Sequence, residues 1–141
     1  MCSVALQAFN RDYQYGRQSE YSSLPTIRRY FNDDTINIHD DRYSRYDYVS
    51  AAFGTKYELK TRRLKHNAFP TTLLPLGKIL AENPTGSVFL FKFSDGLYFI
   101  TYDRKVFSGF QIATLCRQDR FGYDTAQEYI LIPVNLLTEI M

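Results

Sequence analysis

The sequence predicts an α+β fold, in which a central mixed β-sheet is flanked by helices, one on each face. Helical patterning is confined mainly to residues 17–31, whereas several short segments rich in β-branched and aromatic residues follow, separated by turn residues. The 12 Tyr and 11 Phe among 141 residues agree with this, because aromatic side chains favour strands. The length suits a single domain, 1–141, with its own hydrophobic core.

The first element is a helix predicted over residues 17–31, RQSEYSSLPTIRRYF. Pro25 either kinks this helix or opens a second helical piece at its first turn. The alternating run TINI at residues 35–38 then predicts a short strand.

A β-hairpin is predicted next, because residues 43–51 and 56–63 are both rich in Tyr, Val and Thr, with Gly54 between them as a turn residue. Residues 64–72 are predicted to form a loop. Residues 73–82 predict a short helix or a turn.

The second half of the chain predicts mostly strands. Residues 110–117 fit either a strand or a short helix, and residues 135–141 predict a terminal helical turn. Strands are predicted at residues 87–93, 97–103 and 129–134, the first two joined as a hairpin by Ser94-Asp95-Gly96.

Composition excludes several classes of protein. The net charge of +2 argues against a polycation that coats nucleic acid, but it leaves binding through a local basic patch open. Cys2 and Cys116 are too few for a disulfide framework or a zinc site, which favours an intracellular location. The first residues do not resemble a signal peptide, and no apolar run approaches the roughly 18 residues of a membrane span.

The most specific chemistry lies in Glu58-Leu59-Lys60, on the second strand of the predicted hairpin. Side chains two positions apart on a strand share a face, so Glu58 and Lys60 project together. Leu59 then points to the other face, into the core.

Asp47 lies on the partner strand of this hairpin. Depending on which of two short turns joins the strands, Asp47 lies opposite Lys60 or Arg62, and both turns keep it on the face of Glu58. Two facing carboxylates can hold Mg²⁺, which activates water for phosphodiester hydrolysis, and a nearby ammonium group can orient that water. The alternative is a cross-strand salt-bridge ladder on a solvated face.

The stretch RYDYVSAAFGTKYELKTRR, residues 45–63, resembles the core hairpin of the PD-(D/E)XK nuclease superfamily. Asp47, Glu58 and Lys60 match that pattern, although Tyr46 stands where a Pro usually precedes the Asp. The resemblance implies a Mg²⁺-dependent deoxyribonuclease, endo or exo, in which Mn²⁺ can substitute. Asp47 and Glu58 would bind the metal, the Leu59 backbone carbonyl would be a further ligand, and Lys60 would position water.

Two further resemblances extend this hypothesis. Superfamily members often carry a Glu on the helix before the hairpin, and residues 16–20, GRQSE, resemble that element, which makes Glu20 a fourth candidate. An exposed carboxylate at a helix start is the alternative for Glu20. More broadly, residues 16–135 resemble small nuclease-like proteins of large DNA viruses, which implies host cytoplasm, host nucleus or virion as the location.

Positive side chains are dense around Glu58. Beside a metal site they would bind the phosphates that flank the cleaved bond, and the alternative is a solvated basic strand end. The cluster comprises Lys56, Lys60, Arg62, Arg63 and Lys65. Further candidates for phosphate contact, each with a cap or surface role as the alternative, are Thr71, Thr72, Lys78, Arg117 and Arg120.

Other acids and histidines are expected to have ordinary structural roles. Asp33, Asp34, Asp40 and Asp41 compete with Asp47 as the first metal ligand, but they lie outside the hairpin and are expected in turns and caps. His39 and His66 do not have metal-ligand spacing and are expected to be polar residues without a site.

Three functions therefore stay open. The first is metal-dependent hydrolysis of DNA, with a homodimer as one possible assembly. The second is a nuclease-fold protein without activity that binds nucleic acid or forms part of a virion. The third is an interaction module that uses its Tyr-rich surface.

Overall fold

The structure of the chain, a computed structural model, describes residues 17–39, 46–80, 86–118 and 124–140. Its helices are α1 (residues 17–30), α2 (Gly77–Leu80) and α3 (Arg104–Ser108). Its strands in chain order are β1 (Ile36–Ile38), β2 (Tyr48–Ser50), β3 (Lys56–Thr61), β4 (Thr71–Pro75), β5 (Val88–Phe93), β6 (Gly96–Thr101), β7 (Ile112–Gln118), β8 (Asp124–Pro133) and β9 (Thr138–Glu139).

The described strands form two sheets. The larger has six strands in the order β1-β2-β3-β5-β6-β9, and the smaller has three in the order β4-β8-β7. Strands β3 and β5 run parallel, whereas the other described neighbours run antiparallel. The predicted α+β class with a mixed central sheet is therefore confirmed.

Helix α1 covers one face of the larger sheet. Its buried side chains Leu24 and Ile27 are three positions apart, so they lie on the same side of the helix. They pack in a first core with Ile36 of β1 and Tyr48 of β2. The helix continues through Pro25, which is exposed, so this segment forms one helix rather than two pieces.

The opposite face of the larger sheet packs against the smaller sheet and forms a second core. Phe89 and Phe91 of β5 meet Leu74 of β4, Ile132 of β8 and Phe107 of α3. Since β5 is buried on both faces, its sequence is an almost continuous apolar run, VFLFKF. The smaller sheet, together with two short helices, therefore covers the face for which the sequence predicts a helix.

Strand β4 is the largest departure from the predicted elements. The sequence predicts a loop over 64–72 and a helix or turn over 73–82, whereas β4 spans Thr71–Pro75 and α2 only Gly77–Leu80. β4 pairs along its whole length with β8, which is distant in sequence. A segment this short has little conformational preference of its own, so its pairing partner decides its conformation.

Three other regions add detail that the sequence analysis leaves open or misses. Residues 110–117 form strand β7, which pairs with β8. Helix α3 is not predicted, although its N-cap Asp103 accepts hydrogen bonds from two backbone N–H groups of its first turn. The predicted helical turn at residues 135–141 is present in its first part as a 3₁₀ helix at Val134–Leu136, whereas strand β9 takes the place of its later part.

Candidate active site

The hairpin of β2 and β3 forms as predicted, but its turn is longer than expected. Tyr48 pairs with Tyr57, and the backbone N–H of Ser50 donates to the carbonyl of Thr55 at 2.8 Å. Residues 51–54 therefore form a turn of four residues, where the sequence analysis assumes two. An even change in turn length conserves the side-chain parity of the hairpin.

The regular register ends at Tyr48 and does not extend to Asp47. The Asp47 backbone N–H donates to the Tyr57 carbonyl at 2.9 Å, although Tyr57 is already paired with Tyr48, so two residues lie opposite one as in a β-bulge. Both predicted positions of Asp47, opposite Lys60 or Arg62, are therefore wrong, because the turn has four residues and the strand pairing contains a bulge. The bulge interrupts the alternation on which the predicted shared face depends, although Glu58 stays close enough to contribute to the raised pKa of Asp47.

A gap in the sheet positions the carboxylate of Asp47. Strand β2 begins only at Tyr48, so β3 extends beyond its partner, and the backbone N–H of Leu59 donates to Asp47 Oδ2 at 2.6 Å instead. The Asp47 carboxylate thus takes the place of the backbone carbonyl that a longer β2 would offer to Leu59 N–H. Because the N–H and C=O of one strand residue point to the same edge, the Leu59 carbonyl faces the same gap, where a metal ligand is predicted.

Glu58 and Lys60 share one face of β3, as predicted. They stand in register with Phe89 and Phe91 of β5, on the side of the smaller sheet, while Leu59 is buried in the first core. The Lys60 ammonium lies 3.1 Å from Glu58 Oε1. Glu58 is only 3% exposed, so the alternative of a salt-bridge ladder on a solvated face is wrong.

Helix α1 supplies a third carboxylate to the gap. Glu20 is half-buried, is held by Arg17 at 2.8 Å, and its side chain is hydrogen-bonded to Asp47. Burial, followed by the charge and hydrogen bond of Glu20 and the charge of Glu58, raises the pKa of Asp47 to about 7. The hydrogen bond from Leu59 N–H acts in the opposite direction but is outweighed.

Tyr48 fixes the helix to this site, a role that the sequence analysis misses. Its hydroxyl donates to the backbone carbonyl of Glu20 at 2.7 Å, and its ring is fully buried. Burial, with smaller contributions from the carboxylates of Glu20 and Asp47, raises the pKa of the Tyr48 hydroxyl, which therefore stays protonated and can donate. Its position directly after Asp47 is the signal that would have indicated the role.

The donor set of Glu20, Asp47 and Glu58 fits a hard divalent cation in its chemistry, because all three supply carboxylate oxygens. In the conformation described, however, no group of three or more His, Cys, Asp or Glu side chains among the described residues is arranged to hold a metal ion. Asp47 is engaged with Leu59 and Glu20, and Glu58 with Lys60. Metal binding would therefore require these side chains to exchange partners.

The predicted phosphate contacts divide into exposed and structural positions. Lys56, Arg63 and Lys65 are exposed, and the Lys56 ammonium lies 4.9 Å from the ring centre of Tyr46. Arg62 is half-buried, and its guanidinium donates to the backbone carbonyl of Leu73 at 2.7 Å. Lys56, Arg63 and Lys65 are therefore the positions most accessible to DNA.

Other predicted positions lie elsewhere or outside the description. Thr71 is half-buried and Thr72 is buried, both as part of β4 rather than in a loop or cap. The side chains of Lys78 and Arg117, and all of Arg120, lie outside the described residues. Of the four competing acids, Asp34 is exposed and Asp40 and Asp41 lie outside the described residues.

Asp33 has the structural role that the sequence analysis assigns to it. It is buried and accepts hydrogen bonds from the hydroxyls of Thr35 and Ser50, both at 2.5 Å. His66, expected to be an ordinary polar residue, forms a pair with Asp95, with 2.6 Å between Nδ1 and Oδ2.

Comparisons with known proteins do not identify a relative. No family model matches the chain, and neither the curated proteins nor the solved structures give a significant match. None of the described helices is long and apolar enough to cross a membrane. The function must therefore be argued from the residues of the site.

Proposed function

We propose that this chain is a metal-dependent nuclease that hydrolyses DNA phosphodiester bonds at the gap beside β3. The observation that supports this best is the position of Asp47 at the edge of β3, where Glu20 of α1 and Glu58 of β3 both contribute to its raised pKa and Lys60 contacts Glu58. A divalent cation is the ligand that would offset the charge of these acids.

Each residue has a role in this proposal. Asp47 and Glu58 would hold Mg²⁺ or Mn²⁺, with the Leu59 carbonyl as a further ligand and Glu20 completing the acidic set. When bound, the metal would lower the pKa of a coordinated water and offset charge on the phosphoryl oxygens. Lys60, once its contact with Glu58 is exchanged, would orient the attacking water or stabilise the charge that develops.

The surrounding contacts hold these groups in place. Leu59 N–H fixes Asp47, Arg17 fixes Glu20, and Tyr48 ties helix α1 to β2. These separate hydrogen bonds position the carboxylates and helix α1 before a metal binds, and metal binding would then exchange some of these partners. Exposed Lys56, Arg63 and Lys65 would contribute attraction to the DNA backbone.

The test is cleavage of supercoiled plasmid, linear duplex and branched DNA with Mg²⁺ or Mn²⁺, comparing wild type with Asp47→Asn. Asp103→Asn is the matched control, because it makes the same chemical change at an exposed helix cap, where Asn is equally suitable. We expect wild type and the control to cut at least one substrate, and Asp47→Asn and all EDTA samples to cut none. Equal cutting by Asp47→Asn, or no cutting of any substrate, would refute the proposal.

A nuclease-fold protein without activity is the second candidate function. It is favoured by the contact between Lys60 and Glu58, which balances the charge of Glu58 without a metal, and by the missing ready-made ligand group among the described residues. Such a protein would bind DNA equally well with EDTA and with Mg²⁺, and would leave every substrate intact.

A further inference from the structure

A crevice opens where the parallel strands β3 and β5 reach their carboxyl ends. Arg62 follows β3, and Phe93 ends β5. The crevice has a smaller compartment of about 240 Å³ and a larger, open one of about 710 Å³. His66, Phe69, Thr71 and Val134 line both compartments. The larger volume is in the range of sites that bind small ligands or single nucleotides.

Aromatic rings are available at this crevice. Phe69 lines both compartments and is 61% exposed, so its ring is accessible to a ligand in the crevice. The His66 ring stacks on Tyr98, with 4.8 Å between ring centres and 20° between planes. Tyr98 itself is buried, so the ring of the crevice on which an unpaired base could stack is the exposed ring of Phe69, since every base has a face that can stack.

Two nitrogen-bearing side chains accompany the rings. The Arg62 guanidinium lines the smaller compartment and is anchored by its hydrogen bond to the Leu73 carbonyl. His66 is fixed by Asp95, which accepts from its backbone N–H at 2.9 Å and bonds Nδ1 at 2.6 Å, so Nε2 is the nitrogen that can serve a ligand. A cation and an imidazole beside the exposed ring of Phe69 match the phosphate and the base of one nucleotide.

We propose that this crevice binds unpaired nucleotides of a single DNA strand, with a base on Phe69 and a phosphate near Arg62 and His66. One part of this inference, the position of the crevice relative to the cleaved bond, rests on the proposed nuclease function. Arg62 is two residues beyond Lys60, about 7 Å along the chain, so a strand leaving the gap beside β3 would reach the crevice within a few nucleotides. The protein would then favour substrates with single-stranded or frayed ends over intact duplex.

The experiment measures DNA binding in EDTA, where the proposed nuclease cannot cut. Fluorescence anisotropy with a labelled oligothymidine of about 12 nucleotides is compared with a labelled blunt hairpin duplex. The variant is Phe69→Ala, and the matched control is Phe53→Ala. Phe53 lies in the turn between β2 and β3, and its side chain is 78% exposed, more than that of Phe69. Circular dichroism checks that both variants are folded.

We expect Phe69→Ala to bind the single strand about tenfold more weakly than wild type, which is the effect of losing one base stack. Phe53→Ala should bind like wild type, and the affinity for duplex should change little in either variant. Equal single-strand affinity of Phe69→Ala and wild type, an equal loss for duplex, or no single-strand binding by wild type would each overturn the inference. Self-association of wild type that is lost in Phe69→Ala, without single-strand binding, would assign the crevice to a second copy of the chain.

This inference and the proposed function can fail separately. If wild type cuts DNA with Mg²⁺ but Phe69→Ala binds single strands normally, the crevice assignment fails and the nuclease assignment stands. If no DNA is cut but Phe69→Ala loses single-strand affinity, the nuclease assignment fails and the crevice assignment stands.

Discussion

Two aspartates beside neighbouring strands of the larger sheet, Asp33 and Asp47, show opposite electrostatic behaviour. Asp33 accepts hydrogen bonds from the hydroxyls of Ser50 and Thr35 and from the Thr35 backbone N–H, and these donors lower its pKa. Asp47 has Leu59 N–H as a donor, but burial first and the neighbouring carboxylates second raise its pKa to about 7. The same side chain is thus stabilised as an anion at one position and destabilised as an anion at the other.

The difference indicates which carboxylate has a structural role and which is available for chemistry. An acid surrounded by hydroxyl donors has its charge offset within the fold and needs no ligand. An acid buried among other acids keeps an electrostatic cost that a metal or a reaction can relieve, and strongly perturbed acids of this kind cluster at functional sites. Each prediction below tests one side of this contrast.

The largest expected effect is on catalysis, in Lys60→Ala. Removing the ammonium group should slow cleavage at saturating DNA and Mg²⁺ by about 100- to 1000-fold, the usual cost of losing one group that stabilises transition-state charge. Lys105→Ala, which removes an exposed lysine from α3, is the control and should cut at the wild-type rate. Single-turnover kinetics measure both rates, and a loss of affinity with an unchanged rate would contradict the role of Lys60.

Asp47→Asn should stabilise the protein at alkaline pH. Between the unfolded pKa near 3.8 and the folded pKa of about 7, the unfolded state loses its proton first, so wild-type stability falls as pH rises. Asn avoids this cost and still accepts from Leu59 N–H, so we expect a gain of roughly 2–4 kcal/mol at pH 8 that disappears below about pH 4. Urea unfolding across this range measures it, and a variant less stable than wild type at pH 8 would contradict the raised pKa.

Ser50→Ala tests the structural acid. Ser50 is 2% exposed, and losing its hydroxyl should cost about 1–3 kcal/mol at pH 7, because Asp33 loses a buried donor. Because the pKa of Asp33 is lowered, the stability it contributes is present above pH 3.8 and is lost as pH falls through the folded pKa. The difference between variant and wild type should therefore shrink below about pH 3 in urea unfolding, and a pH-independent difference would argue against this role.

The smallest expected effect is the stabilisation by Mg²⁺, which should depend on Asp47 and not on Asp33. At pH 8, Mg²⁺ at about ten times its Kd should stabilise wild type by about 1.4 kcal/mol, seen as a rise in Tm. Ser50→Ala is less stable than wild type without metal but should gain the same stability from Mg²⁺, whereas Asp47→Asn should gain none. Sodium chloride at matched ionic strength controls for screening, and an equal increment in Asp47→Asn would place the metal elsewhere.

Sequence reasoning could predict the face shared by Glu58 and Lys60 because side chains alternate along a regular strand, and this face is confirmed. It could not predict the bulge at Asp47 and Tyr48, which interrupts that alternation on the partner strand. Gly54, identified as the turn residue, has a φ of +71°, which favours glycine. The nuclease activity and the superfamily membership stay predictions.

The sequence could not predict what depends on distant partners. The burial of Glu58 follows from the smaller sheet, whose strand β4 has no recognisable pattern and forms by pairing with β8. The hydroxyl network of Asp33 and the pair of His66 with Asp95 join residues whose proximity is set only by the folded chain. Periodicity reports which face a side chain uses, but it does not report what covers that face.

The chain alternates between its two sheets: strands β1 to β3 belong to the larger, β4 to the smaller, β5 and β6 to the larger, β7 and β8 to the smaller, and β9 to the larger. A ribosome therefore releases the acids of the hairpin long before β8 emerges to complete the layer behind Glu58. During synthesis, these carboxylates must stay hydrated until the last strands dock. Formation of the site is thus coupled to synthesis of β8, and products truncated before β8 would lack the layer that covers Glu58.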